Sequence, residues 1–102
     1  MQPRERFLEL KHELIDTLTS WINGTFYMPP EAMASVLEHA IHDIALYRSS
    51  GLGGCYFYLK CNDVIGMMSF AIGELRSKRT FTCQVSQAVE DAVRALEQLQ
   101  VS

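Results

Sequence analysis

The chain has 102 residues, a net charge of −3 and an apolar fraction of 48%, which suits one domain around one core. The acidic balance, with a pI near 5.5, argues against broad binding to nucleic acid, which needs Lys and Arg to neutralise phosphates. Cys55, Cys61 and Cys83 are odd in number and widely spaced, so they do not read as a secreted disulfide framework.

The start, Met1-Gln2-Pro3-Arg4-Glu5-Arg6, lacks the basic and then apolar regions of a signal peptide. The longest apolar stretch, residues 55–72, is interrupted by Lys60, Asn62 and Asp63 and makes a poor membrane span. A cytoplasmic location without membrane insertion is the expectation.

No internal repeat or low-complexity tract is visible. Three punctuation sites, Gly24–Pro30, Ser49–Gly54 and Ser77–Thr82, divide residues 1–102 into four segments of a single helical domain. In the first, Phe7, Leu8, Leu14, Ile15, Leu18, Trp21 and Ile22 recur at steps of three, four and seven, the helical period. Pro3 suits the first helical position and Gly24 the position just past the end, so a helix is predicted from about Pro3 to Asn23.

The second segment opens on Pro29-Pro30-Glu31, a helix-start signal, and carries the stripe Met33, Leu37, Ala40, Ile41, Ile44 and Tyr47. A helix from about Pro30 to Arg48 is predicted, ended by Ser49-Ser50-Gly51-Leu52-Gly53-Gly54.

The third segment fits two templates. Cys55, Phe57, Leu59 and Cys61 alternate with Tyr56, Tyr58 and Lys60, which resembles a strand. Its best partner would be residues 80–85, giving an α+β alternative with a short two-stranded pairing of 55–61 and 80–85. Yet Phe57, Cys61, Val64, Met68, Ile72 and Leu75 step at helical spacing, and one long helix from about Gly54 to Ser77 is the favoured expectation.

The fourth segment, about Cys83 to Leu99, carries the stripe Val85, Val89, Ala92, Val93, Leu96 and Leu99, with Glu90, Asp91, Arg94 and Glu97 outside it. It completes an expected all-α bundle of about four helices.

No motif names a chemistry. His39 and His42 are three apart on a helix, but no Cys pair has zinc-site spacing. Glu9-Leu10-Lys11-His12 is one Glu-x-x-His pair where di-metal bundle sites need two. Ser50-Gly51-Leu52-Gly53-Gly54 follows a helix rather than the strand that a phosphate-binding turn requires. No catalytic residue, metal or cofactor is therefore expected, and an enzyme is disfavoured.

The informative feature is the apolar middle. Thirteen of the eighteen residues from Cys55 to Ile72 are apolar or aromatic, more than one core stripe can absorb. Tyr56, Tyr58, Met67 and Phe70 are left over, and such residue types are enriched at interface cores. Arg76, Lys78 and Arg79 form the one basic cluster, able to steer an acidic partner. Phe26-Tyr27-Met28 could cover the end of the bundle or extend a binding face.

The expectation is a small regulator or inhibitor that binds and occludes another protein, as a homodimer, through those seven residues. The alternative is a small-molecule or nucleotide sensor with a pocket near the glycine-rich turn and Tyr56 and Tyr58.

Overall fold

The computed structural model describes residues 2–78 and 82–100. They form α1 (Pro3–Asn23), α2 (Pro30–Arg48), α3 (Gly54–Lys78) and α4 (Cys83–Glu97). This is the all-α bundle expected.

The strand alternative is overturned. Residues 55–61 lie inside α3 and residues 83–85 inside α4, while Thr80 and Phe81 lie outside the described residues. The reason is the helical row Phe57, Cys61, Val64, Met68, Leu75, which is buried throughout and continues through residues 55–61 without a break.

Local chemistry sets the ends. Gly24 takes φ +78° after α1, a left-handed conformation that glycine adopts at little cost. This lets the Thr25 N–H donate to the Ser20 carbonyl at 3.0 Å and the Gly24 N–H to the Trp21 carbonyl at 3.3 Å, satisfying two of the orphan carbonyls of the last turn. The Trp21 indole N–H then donates to the Met28 carbonyl at 2.7 Å, which ties the α1–α2 connection to the end of α1.

Before α3, Gly53 admits the following helix. A Cβ there would lie 2.7 Å from the Cβ of Phe57, so any larger residue displaces a core aromatic. At the start of α4 the Thr82 hydroxyl accepts from the Val85 N–H at 3.2 Å, a side-chain cap.

The helices run alternately up and down. Phe7, near the start of α1, meets Tyr47 at the end of α2 and Phe57 at the start of α3, both edge to face with centroids 5.3 Å apart. Arg76, late in α3, reaches back to Glu31 and Glu38 in α2. Lys11 of α1 donates to the Leu99 carbonyl just past α4 at 2.6 Å, where a cation also offsets the helix dipole. The long dimension of 38 Å matches the roughly 37 Å expected of a 25-residue helix.

One core runs through the bundle. α3 packs between α2 and α4, and α4 also packs on α1. Phe7, Leu18, Met33, Leu37, Ile44, Met68, Leu75, Val89 and Leu96 are among its fully buried members. No charged or polar residue among those described is buried in it. No helix among the described residues is long and apolar enough to cross a membrane.

Candidate functional site

The outer face of α3 is the unusual surface. A helix turns about 100° per residue, so Tyr56, Leu59, Met67 and Phe70 fall within one arc opposite the buried row. They are 67%, 60%, 45% and 62% exposed. Between the first and the last the helix rises about 21 Å. Met67 and Phe70 also floor open grooves between α3 and α4, with Asp91, Arg94 and Ala95 opposite Met67 and with Gln87 and Ala88 further along.

Three of the four apolar residues expected at a binding face, Tyr56, Met67 and Phe70, share this stripe. Leu59 joins them, although the alternation at 55–61 had grouped it with the inward-facing Phe57 and Cys61. Its helical spacing, three residues after Tyr56, carries the signal.

Tyr58 lies elsewhere. Two residues beyond Tyr56, it points about 160° away around the helix. The Arg48 guanidinium sits 5.2 Å from the centroid of its ring, and Arg48 also donates to Asn62 at 2.6 Å. Arg48, Tyr58, Phe57 and the turn glycines Gly51, Gly53 and Gly54 line a cleft of about 660 Å³. Tyr56 is not among its lining residues.

Of the basic residues expected to steer a partner, Arg76 is engaged within the chain. Arg76 pairs with Glu38 and lies 3.8 Å from Glu31, so its charge is offset within the chain. Exposed pairs of this kind contribute only about 0–1 kcal/mol. Lys78 is exposed at the end of α3, and Arg79 lies outside the described residues. Phe26 and Tyr27 are exposed, so the α1–α2 connection is only partly folded onto the bundle.

The thiols divide in two. Cys55 and Cys83 are exposed and Cys61 is buried. Burial pushes the Cys61 thiol up to about 11, with Arg48 acting weakly in the opposite direction. A thiol held neutral in this way is a poor nucleophile and a poor metal ligand. His39 and His42 stand on the exposed side of α2 beside Ser35 and Glu38, and His12 lies 3.3 Å from Asp16 on α1. Among the described residues no three His, Cys, Asp or Glu side chains gather where they could hold a metal ion.

Compared with protein-family models, curated proteins and solved structures, the chain matches none, so its own surface is the basis for reading its function.

Proposed function

We propose that the protein is a non-enzymatic regulator or inhibitor that acts by binding and occluding another protein, with the outer face of α3 as the contact surface. One observation carries this reading: Tyr56, Leu59, Met67 and Phe70 stand exposed in one arc, with Asp63 between the two pairs, on a helix whose other face already fills the core. Contiguous apolar patches are uncommon on surfaces that only meet water. Aromatic and Met side chains give large contact areas and adapt to a partner's shape. The groove between α3 and α4 lets a partner's side chain dock beside Phe70, with the Asp91 and Arg94 rim setting orientation. Two exposed free thiols, Cys55 and Cys83, suit a reducing, cytoplasmic setting.

The test is affinity capture from the native host with the wild type and with Leu59→Glu/Phe70→Glu. Both proteins should melt alike at low concentration, and the proteins retained by the wild type should be missing from the variant. Retention of the same proteins by a folded variant would overturn the reading.

A second reading is favoured by the cleft at the glycine-rich turn, whose lining is mostly apolar with Arg48, Ser49 and Tyr58 as its polar side chains. Pockets of this size with few polar groups bind small molecules. A ligand there would raise the melting temperature, since it binds the folded state alone. A thermal-shift screen with nucleotides and small carboxylates that moves nothing would remove this reading.

A further inference from the structure

Resting on the reading of α3 as a contact face, we propose that its occupant is a second copy of this chain, whose α3 lies antiparallel on the first about a two-fold axis at Met67. The exposed face has the pattern of a helix that pairs with itself. Tyr56, Asp63, Phe70 and Ser77 recur every seven residues, and Leu59, Gly66 and Gly73 form a second row three residues on. These are the positions that the two rows of a heptad seam occupy, apolar at Tyr56, Leu59 and Phe70. Lys60, Met67 and Glu74 form the flanking row, also every seven residues, with the two opposite charges placed symmetrically about Met67.

A two-fold axis makes each surface meet its own image. Antiparallel pairing at Met67 brings Lys60 of each copy to Glu74 of the other, and the two Met67 side chains together. Across the seam, where facing positions are offset by two residues from the flanking row, Phe70 of one copy falls against Gly66 of the other, Leu59 against Ser77, and Asp63 against Gly73. Phe70 and Leu59 therefore meet small residues. Asp63, the one charge within the seam, meets a position without a side chain, which leaves its carboxylate a path to water.

The glycines supply an independent argument. Gly66 and Gly73 lie inside a helix, where glycine is among the poorest formers. A Cβ at either would meet nothing within 4 Å in this chain, and neither takes a positive φ. The fold of one copy does not require them, whereas the close approach of a second α3 does.

The apolar area approaches that of a standard interface. A fully exposed aromatic side chain offers roughly 150–250 Å², so Tyr56 and Phe70 together present about 250 Å² and the row with Leu59 and Met67 about 400 Å². A standard interface buries roughly 800 Å² per partner, a little over half of it apolar. Pairing covers the face that would meet a target, so a target must open the pair in order to bind.

The experiment is sedimentation equilibrium of the full chain from micromolar to millimolar concentration. The wild type should be a dimer, and Phe70→Glu should weaken association by about tenfold or more. Lys60→Glu and Glu74→Lys should each weaken it, and the double variant Lys60→Glu/Glu74→Lys should recover the wild-type association, because both ion pairs are rebuilt with signs exchanged. Gly66→Leu should block association while the melting temperature of the monomer holds or rises.

A monomer at every concentration overturns the self-pairing. Loss of host partners in the Leu59→Glu/Phe70→Glu capture would then still support α3 as a contact face. A dimer indifferent to Phe70→Glu and to the charge exchange also overturns the proposal, since it would use another surface.

Discussion

α3 and α4 both bury one face in the same core, but their other faces differ in kind. Opposite its buried Val85, Val89, Ala92, Val93 and Leu96, α4 carries Glu90, Asp91 and Arg94, joined by ion pairs of 3.0 and 3.4 Å. Opposite its buried Phe57, Cys61, Val64, Met68 and Leu75, α3 carries Tyr56, Leu59, Met67 and Phe70. α4 has what a helix needs to fold against a core. α3 has that and a second apolar row for which the core has no use. The difference teaches that the apolar richness of the middle segment is split between a buried row that fills the core and an exposed row, for which we propose a contact role.

Substitutions on the two faces of α3 should separate these origins. Leu75→Ala empties a fully buried site and should cost about 2–5 kcal/mol. Phe70→Ala should cost no more than about 0.5 kcal/mol at concentrations where the protein is monomeric. Urea unfolding followed by the emission of Trp21, the single tryptophan, reads both. Equal losses would break the comparison, because Phe70 would then belong to the fold.

A second difference lies along the inner face, at Cys61. Its thiol titrates near 11 in the folded chain against an ordinary 9.0. Between these values the unfolded chain holds fewer protons, so stability falls as pH rises. This contribution is complete below about pH 9 and lost as pH rises through about 11, and amounts to no more than about 3 kcal/mol. Stability measured against pH for the wild type and Cys61→Ala should show a steeper alkaline decline in the wild type. At pH 8 a thiol reagent should modify Cys55 and Cys83 in the folded protein and spare Cys61.

Lys11 tests the packing of α1 on α4. Its ammonium holds the Leu99 carbonyl beyond the last turn of α4. Lys11→Ala should cost about 1–2 kcal/mol without changing self-association. Gly66→Ala should stabilise the monomer by up to about 1 kcal/mol in thermal melts. A destabilised Gly66→Ala would show that the fold itself needs the glycine.

The bundle was legible because its punctuation is local. Pro3, Gly24, Pro30 and the glycine turn before α3 each act within a few residues of a helix end, and the heptad-like steps of Leu14, Leu18 and Trp21 name the buried side directly. The strand alternative at 55–61 arose because Tyr56, Phe57 and Tyr58 are β-prone residues, and only burial of the whole row from Phe57 to Leu75 overrides that preference. Much of the contact face was visible as side chains left over from one stripe. Tyr58 is likewise left over from the core stripe, but helical geometry turns it away from Tyr56 and toward Arg48. The pairing of Arg76 with Glu38, 38 residues away, and of Lys11 with Leu99, 88 residues away, leave no local trace in the sequence. They depend on which helices become neighbours.

The most direct measurement is the melting temperature of the wild type and of Phe70→Glu across a wide concentration range. Association that favours the folded state makes melting concentration-dependent. The account predicts that the wild type melts higher as it is concentrated, that Phe70→Glu does not, and that the two coincide at the lowest concentration. A Phe70→Glu variant that melts far below the wild type even there would contradict it, because the outer row of α3 would then be serving the fold.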